Sequence, residues 1–174
     1  MIEKTNTNKI LELFADYPTK EFHIREIERI LKISVPTVIS SIEKLKKRNM
    51  ILVEKSKALT KLRANIEKPE FISLKRIINL SKLYESGIIN YLIEKYNYPE
   101  AIVLFGSYSL GEDIEKSDID IAVITDKHID LELDIYEKKN NRQISIHEIN
   151  LSRISKEFLT NLCNGIVLYG YLTI

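Results

Sequence analysis

Between Val103 and Thr125 the chain reads VLFGSYSLGEDIEKSDIDIAVIT, with a Gly-Ser pair, Gly106 and Ser107, ahead of an Asp-x-Asp pair, Asp118 and Asp120. Two carboxylates held that close repel unless a cation lies between them. Mg²⁺, which takes carboxylate oxygens together with substrate phosphates, is the ordinary solution. Gly106, at the end of an apolar run, leaves room for a phosphate to approach the backbone, and Ser107 offers a hydroxyl and an N–H to phosphate oxygens. Together these residue types have the chemistry of a metal–nucleotide site.

Strands must hold them. Ala101 to Phe105 is a continuous apolar run of the kind found in a covered sheet, stopped by Gly106. Ser117 to Thr125 is a second strand, in which Ile119, Ile121 and Val123 alternate with the acids. Period-two geometry therefore puts Asp118 and Asp120 on one face and the apolar residues in the core. A later strand, Gln143 to Asn150, sends Ile144 and Ile146 to the core and presents Ser145 and His147 on the site face. By the same parity Glu148 points inward, unless a bulge or an early strand end turns it round, and His147 is the other candidate, as a metal ligand or base. The terminal GIVLYGYLTI reads as a strand, SKEFL before it as a short helix opening near Ser152 or Ser155, and KKNNRQ (138–143) as a solvated loop.

The stretch LFGSYSLGEDIEKSDIDIAV is similar to the signature of the minimal nucleotidyltransferases of the DNA polymerase beta superfamily, with the domain covering residues 86–174. The resemblance implies an α/β (α+β) fold with a mixed sheet. It also implies transfer of a nucleoside monophosphate from an NTP, ATP foremost, to a hydroxyl with loss of pyrophosphate, using Mg²⁺ or Mn²⁺. Under it Gly106 and Ser107 bind the triphosphate, and Asp118 and Asp120 are the catalytic metal ligands. The acceptor is a protein or nucleic-acid hydroxyl, a toxin protein among the possibilities. Two departures stand out. Leu110 occupies a place where the family often has a basic residue, with Lys116 as a weak substitute in binding nucleotide, and the third catalytic carboxylate has only Glu148 as its candidate.

The front of the chain has a different character. Residues 1–70 carry a net charge of +5 and the remainder −4, although the whole is only +1. Ile10, Leu11 and Phe14 repeat at helical spacing up to Pro18, and Ile24, Ile27, Ile30 and Leu31 repeat it again. Val35, Val38, Ile39, Ile42 and Leu45 form a third stripe, with Ser34 as N-cap and Pro36 in the first turn. Ile51–Val53, a Lys-Ser-Lys turn and Leu59–Ile66 read as a hairpin. This order resembles the winged helix-turn-helix of transcription regulators, assigned to residues 1–68. The resemblance makes Thr37, Ser40, Ser41, Lys44, Lys47 and Arg48 candidates for contact with duplex DNA. The same basic helix end also complements the helix dipole, and this fold often serves only protein contacts, so a scaffold stands as the other reading.

Residues 69–85 read as a linker helix too apolar for a free spacer, which should pack on one of the domains or on a second subunit, with a homodimer as the expectation. His23 is structural. A lone cysteine, Cys163, excludes an internal disulfide framework, and with no long apolar run the expectation is a cytoplasmic protein without a membrane role. The leading function is a nucleotidyltransferase behind a DNA-binding-type domain. The alternative is a DNA-binding regulator whose degenerate transferase domain senses nucleotide.

Overall fold

Thr5 opens the first helix by accepting a hydrogen bond from the Asn8 N–H at 3.2 Å, and α1 (Asn6–Asp16) stops short of Pro18. The computed structural model describes residues 5–55 and 60–173 and divides into two units, Met1–Ile78 and Asn79–Ile174.

In the first unit α2 (Ile24–Leu31) ends at Lys32, whose left-handed φ of 53° turns the chain quickly into α3 (Val35–Lys47). The hairpin β1 (Ile51–Lys55) and β2 (Thr60–Ala64) follows; Ser56, Lys57 and Leu59 of the predicted turn and strand lie outside the described residues. Phe22 ties the segment before α2 to the hairpin, exchanging backbone hydrogen bonds of 2.9 Å with Leu62 in both directions. The stripes predicted from spacing meet in one core of Ile10, Phe14, Phe22, Ile27, Val38, Leu45, Met50 and Leu62. The expected linker is α4 (Pro69–Ser86). Its Phe71 and Ile78 are buried in this first core, and its Leu83 in a core of the second unit.

The second unit continues with α5 (Ile88–Lys95), β3 (Ala101–Phe105), α6 (Gly106–Leu110), β4 (Ile119–Ile124), α7 (Asp134–Asn140), β5 (Ile144–Ile149), a 3-10 turn at Leu151–Arg153, α8 (Lys156–Cys163) and β6 (Ile166–Gly170). The sheet order is β5-β4-β3-β6, with β4 and β5 parallel and the other pairs antiparallel. It is mixed, as expected for the nucleotidyltransferase domain. A parallel pair needs a crossover, and the segment 125–143 containing α7 supplies it.

Both faces of the sheet are covered, which is why β3 is apolar at every position. Ile102, Leu104, Ile119, Ile121, Val123 and Ile144 pack on one face with Ile88, Ile89, Leu92 and Tyr96. Ala101, Val103, Phe105, Ala122, Ile124 and Ile149 face the other way, toward Leu162 and Phe158. The KKNNRQ segment departs from the solvated loop expected of it. Lys138–Asn140 close α7, Asn140 is buried, and Arg142 is buried with its guanidinium Nη2 3.6 Å from Asp113 Oδ2. Polar composition signals a loop, but it does not reveal that one of the charges has a buried partner.

Candidate functional site

The two ends of the motif meet because of strand register. Phe105, last in β3, pairs with Asp120 in β4, so the chain leaves β3 beside the second carboxylate. Gly106 follows at φ +72°, and a Cβ placed on it would lie 2.7 Å from Asp120 Oδ2. Glycine is needed there twice over, for its left-handed backbone and for the absence of a side chain. Asp118, just before β4, and Asp120 within it share a face by alternation.

Across the parallel pairing Asp120 stands opposite Ser145 and Ala122 opposite His147. Ser145 Oγ is 3.5 Å from Asp118 Oδ2, and His147 Nε2 is 3.4 Å from Asp120 Oδ1. The His147 ring stands edge-on to Phe105 at 5.2 Å between centroids and lies 6.3 Å from Phe158. Aromatic packing thus sets the orientation of the imidazole beside the acids.

The donors brought together are two carboxylates, a hydroxyl and an imidazole, on the face where the glycine leaves space. That set fits a divalent cation that takes most of its shell from phosphates and water. Among the described residues no group of three or more His, Cys, Asp or Glu could hold a metal ion by itself.

Glu148 does not join the pair. It lies on the opposite face of β5, as parity predicts and contrary to its assignment as a third catalytic acid. There its Oε1 accepts from the Tyr96 hydroxyl at 2.6 Å and the Ile129 N–H at 2.8 Å, and its Oε2 pairs with His128 Nδ1. Burial pushes this carboxyl up, but the three hydrogen bonds outweigh burial and hold it below its usual range. Burial first, and then the hydrogen bond to Glu148 and its charge, push the Tyr96 phenol well above its ordinary value. No bulge turns Glu148 toward the aspartates, because β5 keeps unbroken register with β4 from Ile144 to Ile149.

Lys116 is exposed and lines a cleft of about 460 Å³ with Asp118, Lys138, Arg142 and Gln143. Leu110, at the departure from the family pattern, is 41% exposed. The loop that carries Lys116 to Asp118 is anchored from beneath, by residues whose local pattern does not announce it. Asp113 is buried, accepts from Asn79 Nδ2 at 2.7 Å and faces Arg142, while Asn79 Nδ2 also donates to the Tyr108 carbonyl at 3.0 Å.

On α3, Ser40, Lys44, Lys47 and Arg48 are exposed and Thr37 is half-buried, its hydroxyl 2.8 Å from Ser34 Oγ. Arg48 is already paired with Glu70 at 2.6 Å. Ser41 is corrected: it is 4% exposed, with Thr7 Oγ1 donating to it at 3.2 Å, because it falls in the buried stripe of Val38, Ile42 and Leu45 and not on the polar face. His23 Nδ1 lies 2.9 Å from the Thr60 carbonyl, a structural contact as expected.

Comparison with known families matches residues 87–171 to the family described as Polymerase beta, Nucleotidyltransferase. The match spans the sheet and both halves of the motif and supports a nucleotidyltransferase domain there. Neither the curated proteins nor the solved structures give a match to the chain. No helix among the described residues is long and apolar enough to cross a membrane.

Proposed function

We propose that the second unit is a divalent-metal-dependent nucleotidyltransferase that moves a nucleoside monophosphate from an NTP, ATP foremost, to a hydroxyl on a protein or nucleic acid. The observation that carries this reading is the seat of Gly106 against Asp120, which makes one site of the Gly-Ser turn and the Asp-x-Asp pair. In the reaction an acceptor oxygen bonds to the α-phosphorus, the bond to pyrophosphate breaks, and the acceptor hydroxyl loses its proton. When bound, Mg²⁺ or Mn²⁺ would offset phosphate charge and orient the triphosphate.

The residues of the chain do the rest. Asp118 and Asp120 hold the cation, with Ser145 and His147 beside them restricting how the carboxylates turn. Gly106 keeps the approach to the backbone open, and Ser107 offers its hydroxyl and N–H to phosphate oxygens. Lys116, at the cleft beside Asp118, supplies positive charge where Leu110 cannot.

The first unit we read as a winged helix-turn-helix that contacts duplex DNA through Thr37, Ser40, Lys44 and Lys47. Its support is the order of three helices and a hairpin, with an exposed basic end on α3. Pairing of two copies through α4 belongs to the same reading and draws on Ile77 and Tyr84, each about half exposed; a monomeric mass by light scattering contradicts it.

A second reading, a regulator whose transferase domain only senses nucleotide, draws on one observation: Glu148 is engaged elsewhere, and among the described residues no third acid joins the pair. Incubating the full chain with each α-labelled NTP, Mg²⁺ or Mn²⁺ and a lysate separates the two. Label on a macromolecule, absent with Asp118→Asn and Asp120→Asn together, is the transferase outcome. Nucleotide binding without transfer from any NTP is the sensor outcome.

A further inference from the structure

Asn79 is 3% exposed and shares a buried stripe of α4 with Leu83 and Ser86, a place where an apolar side chain would pack without the cost of burying an amide. It lies outside residues 87–171, which the family match covers. We propose that Asn79 is a positioning residue for the nucleotide site, its amide tying the Gly-Ser turn and the loop to Asp118 to one nitrogen and so fixing the spacing of the two halves of the motif. This rests on the reading of those halves as one metal–nucleotide site.

Partner chemistry gives the first reason. Asn79 Nδ2 donates to the Tyr108 carbonyl at 3.0 Å and to Asp113 Oδ1 at 2.7 Å. A carbonyl and a carboxylate only accept, so the two N–H groups of one amide are the complement this junction requires. Tyr108 returns the contact, its hydroxyl donating to the Asn79 backbone carbonyl at 3.4 Å.

Place in the chain gives the second. Tyr108 follows Gly106 and Ser107 within α6, where Ser109 Oγ donates to the Gly106 carbonyl at 2.7 Å. Asp113 stands in the loop to Asp118, which folds back on itself as the Ile114 N–H donates to Ser117 Oγ at 3.0 Å. One amide therefore reaches both halves, beside Ser107 and a short turn ahead of Asp118. Burial gives the third. Asp113 is 2% exposed and faces Arg142, which leads into β5, at 3.6 Å. The three elements α4, α6 and β5 thus close around one carboxylate, and a shift there moves the loop that carries Asp118. Misplacing a reacting group by about 1 Å costs on the order of a hundredfold in rate.

Calorimetric titration of the full chain with Mg²⁺–ATP, read beside melting curves, tests this. Asn79→Asp keeps the shape of the side chain, sets acceptors against acceptors and should lower Mg²⁺–ATP affinity about tenfold or more. Leu83→Ala empties a buried place on the same helix, in a core of the second unit. It should lower the melting temperature at least as far and leave the affinity unchanged, which separates positioning from stability. Tyr108→Phe removes one hydroxyl from the junction and should lower affinity about threefold; it decides the matter where Asn79→Asp does not fold. Wild-type affinity in a folded Asn79→Asp, or in Tyr108→Phe where that variant stands alone, overturns the inference and leaves the aspartate site standing. An equal loss of affinity in Leu83→Ala does the same. No Mg²⁺–ATP binding by the wild type overturns both.

Discussion

Gly106 has no tolerance for a methyl group: its φ is +72°, and the added Cβ would lie 2.7 Å from Asp120 Oδ2. Gly106→Ala should cost about 1–2 kcal/mol from left-handed backbone strain alone. It should also push the Asp120 carboxylate aside and weaken Mg²⁺–ATP binding, so a melting curve and a nucleotide titration should fall together. Glu148 makes the opposite case, a residue engaged by Tyr96, Ile129 and His128 on the strand face away from Asp118 and Asp120. Glu148→Ala leaves the buried Tyr96 hydroxyl without its acceptor and should cost about 1–3 kcal/mol, while Glu148→Gln keeps a carbonyl for Tyr96 and Ile129 and should cost less. Neither should alter nucleotide binding. Because the folded carboxyl titrates below its ordinary 4.5, its contribution is fully present above that pH and is lost as pH falls through the lower folded value. Acid unfolding of Glu148→Gln should therefore begin from lower stability at neutral pH and fall less steeply below it; an unchanged slope contradicts the assignment.

At the scale of elements, much of the site is legible because strand alternation is strict. The parity of Asp118, Asp120, Ser145 and His147 follows from counting, and β3 is recognisable as a strand covered on both faces because it is apolar throughout. What counting misses is long-range. Ile129, Leu131 and Leu133 pack on the sheet from a segment without regular structure, so neither a helical nor a strand period announces them. Asp113 and Arg142 read as surface charges, yet they are buried facing each other, and nothing local marks that pairing. Ser41 shows a subtler limit: a small polar residue sits in a buried stripe because Thr7 meets its hydroxyl. The Asp113–Arg142 pairing holds the loop to Asp118 against the end of α7. Asp113→Ala removes the buried carboxylate that faces Arg142 and accepts from Asn79 and should cost about 3 kcal/mol, read by denaturant midpoint, with Arg142→Ala adding little more in the double variant. A fully additive cycle means the two do not act together.

At the scale of the whole molecule, the basic front of the chain lies in the first unit and the acidic second unit carries Asp118 and Asp120. If α3 meets duplex DNA, the full chain should retard a duplex at about 50 mM salt and release it as salt rises. Lys44→Ala with Lys47→Ala should then reduce the salt slope by roughly one for each lysine that meets a phosphate; no retardation of any duplex leaves the first unit as a scaffold. The central claim concerns the other unit, that Asp118 and Asp120 form one divalent-metal and nucleotide site with the Gly-Ser turn. Titration of the full chain with ATP in the presence and absence of Mg²⁺ tests it most directly. Wild type should bind Mg²⁺–ATP, and Asp118→Asn with Asp120→Asn, folded by its melting curve, should lose the metal-dependent part of that binding; equal affinity in the two proteins would contradict it.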